Sequence, residues 1–321
     1  MGFHLASRLS SESGDTVVLL DNYRRGADDE DLRILAERPN VQLIRGDITD
    51  PVLLDSLDSG FDEVYHMAAV IGVANVLEYP QDVISVNGGG TLKLLDWYIA
   101  GGGEKFLFTS TSEVYAWTQQ FHPLPIPTPE DVPLSITELD NPRSTYAGTK
   151  IFGELAVRHI CNAARKHHVT VRYHNVYGPR MGYNHVMPEL FGRVRRSSGP
   201  LTVYSAGYSR AFCYVSDAVE ATVASMRESA ASKKVLNIGN DLEEITMGEL
   251  ARMVIEIAGE GQMIVPEKAP NDPVKRRCPD ITRARDLLGY EPSVPLKTGL
   301  EQTLKWYEKY PFSGENGRNS E

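Results

Sequence analysis

The sequence predicts an α/β fold in which a doubly wound parallel sheet is followed by a smaller α/β domain. Short apolar runs alternate with helical stretches through the first two thirds of the 321-residue chain, and most of these runs lead into polar or acidic residues. Near-continuous apolar strands are typical of parallel sheets that are covered by helices on both faces. After about residue 176, turn residues and prolines become frequent. We therefore expect a first domain over residues 1–175 and a second mainly over 176–312, with some segments returning to the first.

The individual elements follow from local pattern. Strands are predicted for the apolar runs at residues 16–21, 41–45, 62–66, 105–108 and 169–173. Helices are predicted for the amphipathic stretches at residues 83–100, 144–167, 216–228, 246–259, 281–288 and 296–308. The last of these places Leu300, Leu304 and Tyr307 on one face, as expected of a helix that packs on a core.

Two segments lack periodicity. Residues 117–142 form a long, proline-rich stretch, and a loop of that length inside a compact domain is typical of a lid or a binding loop. The polar segment 313–321 is predicted to be a disordered tail.

Composition and charge exclude several classes of protein. The formal net charge is -10 and no dense Lys/Arg block occurs, which argues against nucleic acid as a partner. No apolar stretch approaches the ~20 residues that cross a bilayer, and no signal peptide is recognised. The three cysteines lie far apart, at Cys161, Cys213 and Cys278, without metal-ligand spacing. We therefore expect reduced thiols, no metal site, no membrane partner and a cytoplasmic location.

The candidate catalytic centre is the pair Tyr146 and Lys150. Residues four apart share one face of a helix. A nearby ammonium favours the phenolate and lowers the pKa of a tyrosine from about 10. Such a phenolate is a base suited to a sugar hydroxyl. The run Thr109–Glu113 at the end of a predicted strand supplies hydroxyl groups that can hold the same substrate oxygen.

A nucleotide site is predicted at the end of the strand 16–21. An acid at this place, Asp21, binds the adenosine ribose hydroxyls in dinucleotide folds and favours NAD over NADP. Helix capping is the alternative role for this aspartate. Gly2 corresponds to the last glycine of a phosphate-binding loop at the start of a helix. The first strand and the earlier glycines precede that position in such folds, and we expect the chain to start upstream of Met1.

Motifs along most of the chain form one set. They are Asp21, Gly46-Asp47, His66–Ala69, Asn87, Gly90-Thr91, Thr109–Tyr115, Tyr146 with Lys150, Asn175–Arg180, Ser209–Asp217 and Asn237–Asn240. On these residues the chain resembles the extended short-chain dehydrogenase/reductase family of nucleotide-sugar epimerases, dehydratases and decarboxylases, from Gly2 to about Tyr310.

The resemblance implies an NAD-binding Rossmann domain, bound NAD, a nucleoside-diphosphate sugar substrate and a homodimer paired through two helices of each subunit. It also implies a set of cofactor-binding residues. They are Gly2, Asp21, Asn22, Asp47, Ile48, Met67, Ala68, Ala69, Asn87, Thr109, Tyr146, Lys150 and Tyr173.

Within that family the pair Ser112-Glu113 indicates a branch. Dehydratases typically place Asp-Glu before Val-Tyr, and simple 4-epimerases usually have no Glu there. The run Thr111–Tyr115 is similar to that of UDP-glucuronate decarboxylases. Arg143 before Tyr146, the run Ser209–Val215, and a stretch containing Arg276 and Arg277 agree with that branch.

The predicted function is therefore NAD-dependent decarboxylation of a nucleoside-diphosphate uronic acid through a C4-keto intermediate. A nucleotide-sugar 4-epimerase and a 4,6-dehydratase are the alternatives within the fold. A non-catalytic member that does not bind NAD is the alternative outside these enzyme classes.

Roles for individual residues follow from the resemblance. Ser110 or Thr111 would hold the C4 oxygen, and Glu113 would order a water or handle the C5 proton. Arg276 or Arg277 would hold the substrate carboxylate. Arg143, Asn175 and Arg210 complete the predicted substrate site, the last two at the diphosphate. Structural alternatives are an ion pair of Glu113 with Arg143, a surface ion pair for Arg210, and an ion pair of Arg276 or Arg277 with Asp280.

Overall fold

The computed structural model describes residues 1–25, 28–196, 199–268 and 274–310. The predicted tail 313–321 lies outside these residues. The α-helices are α1 (Gly2–Leu9), α2 (Glu30–Ala36), α3 (Pro51–Ser56), α4 (Val73–Glu78), α5 (Pro80–Asp82), α6 (Thr91–Trp97), α7 (Thr118–Phe121), α8 (Ser144–Ala163), α9 (Val186–Arg196), α10 (Val215–Arg227), α11 (Met247–Ile257), α12 (Thr282–Leu288) and α13 (Leu296–Lys309). π-helical turns at Val83–Gly90 and Tyr98–Gly102 extend α5 and α6 into one helical stretch, and 3₁₀ turns occur at Ser112–Tyr115 and Ser229–Ala231.

The strands form several small sheets. They are β1 (Val17–Asp21), β2 (Val41–Arg45), β3 (Phe61–His66), β4 (Gly103–Thr111), β5 (His167–Tyr173), β6 (Val176–Tyr177), β7 (Leu201–Tyr204), β8 (Ser209–Ala211), β9 (Cys213–Tyr214), β10 (Val235–Ile238), β11 (Glu244–Thr246), β12 (Ile264–Glu267) and β13 (Arg276–Arg277). A four-stranded parallel sheet has the order β10-β5-β4-β3, and β1 and β2 form a second parallel pair.

Helices cover both faces of the four-stranded sheet. Phe106 and Phe108 on β4 are fully buried in a cluster with residues of α6 and α8. Leu107, which points to the opposite face, packs with residues of α10 and α12. Alternate strand residues thus enter two separate helix-covered cores, as expected of a doubly wound fold. The predicted fold class is confirmed.

The part of the chain after residue 176 contributes both to the four-stranded sheet and to a separate core. β10 pairs with β5 in parallel and so belongs to the large sheet. A separate core contains buried side chains from α9, α11 and α13, among them Leu190, Leu250 and Leu300. Its strands form three small sheets, ordered β11-β8-β13, β12-β7 and β6-β9. No helix within the described ranges combines the length and apolar character needed to cross a bilayer.

Two predicted elements have different bounds, and the strand predicted over 105–108 spans Gly103–Thr111. The helix predicted over 144–167 ends at Ala163, and His167 begins β5. The segment 117–142 is anchored rather than free along its length, since Thr128 exchanges backbone hydrogen bonds of 2.9 Å with Cys278 and Asp280. The segment therefore packs against the chain that follows β13.

Candidate active site

The site lies where the parallel strands end, and α8 brings Tyr146 and Lys150 to that edge. Close approach of α8 to β4 depends on Gly153, because a Cβ at this position would lie 2.2 Å from Cζ of Phe108. Lys150 is 4% exposed, and its Nζ donates a 2.7 Å hydrogen bond to the Thr109 carbonyl at the end of β4. Burial lowers the pKa of this lysine to about 8.

The two candidate hydroxyl groups on β4 differ in direction. Thr111 lies close enough to Tyr146 to lower the pKa of its phenol, and Oγ1 of Thr111 accepts a 3.3 Å hydrogen bond from the backbone of Glu113. Ser110 is 4% exposed, and its Oγ donates a 2.6 Å hydrogen bond to the carboxylate of Glu154. Successive residues of a strand point to opposite faces. Thr111 therefore faces Tyr146, whereas the hydroxyl of Ser110 donates to a buried carboxylate.

The electrostatics of Tyr146 differ from the prediction. Burial, with a smaller contribution from the charge of Glu113, raises the pKa of its phenol to about 12, while Thr111 and the charge of Arg25 act in the opposite direction. The expectation of a lowered pKa was wrong for this structure. The desolvation of a phenolate outweighs the favourable contacts, and the ammonium of Lys150 is directed at a backbone carbonyl.

An acid and an arginine meet beside this pair. Nη1 of Arg277 donates to Oε1 of Glu113 at 2.7 Å, with side chains 13% and 32% exposed. Burial alone would raise the pKa of Glu113, but attraction to Arg277, together with Arg143 and Arg210, holds this pKa below its ordinary value. Three arginines thus surround one carboxylate, and the site is suited to an anionic substrate.

The preceding residue, Arg276, pairs with Glu244 and not with Glu113. Nε and Nη2 of Arg276 donate to the two carboxylate oxygens of Glu244 at 2.8 and 2.9 Å, and the Arg276 side chain is 51% exposed. Arg277, rather than Arg276, is therefore the arginine at the site. Glu113 pairs with Arg277 rather than with Arg143. Arg276 pairs with Glu244, and the ion pair with Asp280 that was the alternative for these arginines does not form in the described part of the chain.

The candidate adenosine end lies at the carboxyl ends of β1 and β2. Asn22 donates to Asp47 at 2.7 Å, and Asp21 accepts from the backbone of Tyr23 at 2.7 Å. Asp21 is exposed and is not the cap of a helix. Ile48, next to Asp47, is 7% exposed.

Asn87 fixes the segment that follows β3. Its side chain accepts from the backbone of Val70 at 2.7 Å and donates to the Val70 carbonyl at 3.0 Å. This double contact holds the chain directly after Met67, Ala68 and Ala69. The cofactor role of Asn87 remains a prediction, and the contact observed is one of support.

Three predicted residues have other contacts. Tyr173 shares a 2.7 Å hydrogen bond with Thr222 on α10. Asn175 has a positive φ of 41° and donates to the Ala211 carbonyl at 2.9 Å. Arg210 donates to the Ser209 carbonyl at 2.8 Å and acts electrostatically on Glu113. Gly2 is the first residue of α1, with open space where its Cβ would lie.

Sequence reasoning missed Glu154 and Arg172, which form a buried ion pair behind the site at 2.6 Å. The available signal was the position of Glu154, which lies one helical turn after Lys150 on the same face. Within the described ranges, no group of three or more His, Cys, Asp or Glu side chains is arranged to hold a metal ion.

A family model described as the NAD dependent epimerase/dehydratase family matches residues 1–239. The chain belongs to this family. The predictions of an enzyme with a Rossmann-like fold and NAD as its cofactor are confirmed by this assignment. The side chains present fit NAD. Asp21 offers an exposed carboxylate that can accept hydrogen bonds from ribose hydroxyls. Tyr146 and Lys150 offer a phenol and an ammonium at the other end of the edge where the parallel strands finish.

The chain is similar to named members of the family. It is 34% identical to UDP-glucuronic acid decarboxylase 2 of Arabidopsis thaliana, over 100% of this chain and 68% of that protein. It is 31% identical to UDP-N-acetyl-alpha-D-glucosaminuronate decarboxylase of Bacillus cytotoxicus, over 96% and 95%. The solved UDP-glucuronic acid 4-epimerase of Bacillus cereus, in complex with UDP-glucuronic acid and NAD, superposes with a TM-score of 0.83 at 27% identity, covering 96% of both chains.

Proposed function

We propose that this protein decarboxylates a nucleoside-diphosphate uronic acid, such as UDP-glucuronate, in an NAD-dependent reaction. The observation that carries the proposal is the Glu113–Arg277 pair beside Tyr146 and Thr111. An arginine offers planar, bidentate recognition of a carboxylate. The similarity to two uronate decarboxylases supports the same chemistry.

The residues of the chain prepare the sugar for oxidation at C4. Thr111 holds the C4 oxygen, and Tyr146, as a phenolate, accepts the proton of that hydroxyl. The positive charge of the nicotinamide ring of bound NAD would lower the raised pKa of this phenol. Bound NAD supplies the hydride acceptor. Lys150 contributes a positive charge next to the substrate and to the nicotinamide ribose. The resulting C4 ketone makes the C6 carboxylate part of a β-keto acid.

Carbon dioxide is lost when the bond between C5 and C6 breaks. Its electron pair moves to the C4 oxygen and forms an enolate, which a proton at C5 then converts to the ketone. Arg277 holds the carboxylate before cleavage, and the positive charges around the site stabilise the developing negative charge. Glu113 fixes Arg277 and handles the water or proton at C5. The product is the 4-keto pentose nucleotide or, where C4 takes back the hydride and the C4 oxygen a proton, the pentose sugar nucleotide.

A 4-epimerase of a uronic acid sugar is the second candidate, favoured by the superposition on the Bacillus cereus enzyme. Incubation with UDP-glucuronate and NAD, followed by mass spectrometry, separates the two. A product lighter by one CO2, or by one CO2 and two hydrogens for the 4-keto form, supports decarboxylation. An isobaric product means epimerisation, and a product lighter by one water means dehydration. A control with UDP-glucose, which lacks the carboxylate, should release no CO2.

Cofactor binding is measured separately from turnover. Denaturation of the purified protein and chromatography of the supernatant should release NAD, and added NADH should show enhanced fluorescence with the native protein. Failure of both would favour a family member that does not bind the cofactor.

We further propose a cytoplasmic homodimer. The resemblance implies pairing through two helices of each subunit, and apolar side chains are exposed on two neighbouring helices. They are Ile84 on the stretch Pro80–Gly102, which is 55% exposed, and Phe152 and Leu155 on α8, which are 43% and 54% exposed. Contiguous exposed apolar surface is typical of interfaces. The three cysteines are free and buried, which is consistent with a reducing compartment.

A further inference from the structure

A buried ion pair lies directly behind the candidate active site. Nε and Nη2 of Arg172, on β5, donate to the two carboxylate oxygens of Glu154, on α8, at 2.8 and 2.6 Å. The two side chains are only 5% and 10% exposed. A bidentate pair of this kind holds both side chains in one geometry. Burial of two charges is costly, so the pair is weak evidence for stability alone.

Further contacts fix the position of the carboxylate. Oε1 of Glu154 accepts a 2.6 Å hydrogen bond from Ser110. Nη1 of Arg172 also donates to the Tyr115 hydroxyl at 2.8 Å and to the Glu130 carbonyl at 3.0 Å. Glu154 is therefore held on one side by β4 and on the other by β5.

Glu154 also faces Lys150. The two residues lie one helical turn apart on α8, and both are directed towards the sheet. Burial lowers the pKa of Lys150 to about 8, and attraction to Glu154 opposes that decrease. The other titratable groups around this pocket are Tyr146 on the same helix, Arg172 on β5, and His66 on β3, whose pKa burial lowers to about 3.

We propose that Glu154 is a positioning residue for the reaction: its carboxylate, fixed by Arg172, keeps Lys150 in the ammonium form and holds the Ser110 hydroxyl away from the substrate. The inference rests on the proposed function insofar as Lys150 serves catalysis. It leaves Thr111 as the strand-end hydroxyl that contacts the C4 oxygen. Arg172 limits the attraction of Glu154 for the Lys150 ammonium, because its positive charge neutralises part of the charge of the Glu154 carboxylate.

Two substitutions should move the basic limb of the pH–activity profile in opposite directions. Glu154→Gln removes the negative charge, so Lys150 should lose its proton at lower pH and the limb should shift down by about one pH unit. Arg172→Gln leaves the carboxylate without its neutralising partner, so the limb should shift up. Glu256→Gln, which removes a carboxylate paired with Lys297 on the surface, is the matched control and should leave the limb in place.

A second measurement needs no turnover. Trace acylation of the protein at a series of pH values, with peptide mass spectrometry at Lys150, gives the protonation midpoint of this lysine directly. The midpoint should fall in Glu154→Gln and rise in Arg172→Gln, in variants whose circular dichroism matches the wild type. If both midpoints stay at the wild-type value, the proposal is overturned even when thermal stability drops. If the midpoints shift but no nucleotide sugar is turned over, the positioning role stands and the proposed function fails.

Discussion

Arg277 donates a 2.7 Å hydrogen bond to Glu113 across 164 residues of sequence, whereas its neighbour Arg276 pairs with the surface residue Glu244. The two arginines are chemically identical and adjacent in sequence. Only one of them contributes its guanidinium to the site, and this difference provides a sharp test of the proposed chemistry.

Arg277→Gln should reduce kcat/KM for UDP-glucuronate by about 100-fold or more, because the group that holds the carboxylate is lost. Arg276→Gln is the matched control and should stay within about threefold of wild type, since exposed ion pairs contribute little. Steady-state measurement of CO2 release gives both values. Equal losses in the two variants would contradict the assignment of Arg277.

Tyr146→Phe should lower kcat by about 100-fold or more, because the general base is removed while the ring remains. The melting temperature should change little, since phenylalanine keeps the ring and its packing contacts. Tyr204→Phe removes a hydroxyl from a side chain that is 50% exposed and serves as the control. Full turnover by Tyr146→Phe would disprove its role as the base.

The Glu113 carboxylate should stabilise the fold in a pH-dependent way. Its pKa in the folded protein lies below the ordinary value of 4.5, so its stabilising effect is present above about pH 4.5 and is lost as the pH falls through the lower folded-state value. The difference in melting temperature between wild type and Glu113→Gln should therefore shrink as the pH is lowered below about 4.5. Glu260→Gln, at an exposed position, is the control substitution. A constant difference for Glu113→Gln would refute the linkage.

Phe152→Glu and Leu155→Glu should convert the proposed homodimer to monomers, because each places a charge in the apolar surface between the paired helices. Sedimentation velocity at micromolar concentration measures the change. Leu242→Glu, at a position that is 74% exposed, should leave the dimer intact. A monomeric wild-type protein would rule out the dimer proposal.

Much of the fold could be predicted because the relevant signals are local. β4 and β5 are marked by apolar β-branched and aromatic residues, and α8 by its helical period. The end of α8 was predicted less well: the sequence offers no breaker at Ala163, and His168, which the pattern does not mark as apolar, is 4% exposed within β5. Pairing with β4 overrides the local preference there.

The choice between adjacent residues could not be predicted. On β13 successive side chains point to opposite faces, and only the register with β8, where Arg277 lies opposite Arg210, decides which arginine faces the site. The same alternation on β4 directs Thr111 to Tyr146 and Ser110 to Glu154. Register depends on strand pairs that are distant in sequence.

The sequence by itself determined the alternation of strands and helices, the spacing of Tyr146 and Lys150 on one helical face, and the collection of polar residues at strand ends. Tertiary structure alone decided that Arg277 pairs with Glu113, that burial raises the pKa of Tyr146, and that Glu154 pairs with Arg172. Spacing along one helix is set by local backbone geometry, whereas desolvation and pairing between distant elements arise only when the sheet and its helices pack together.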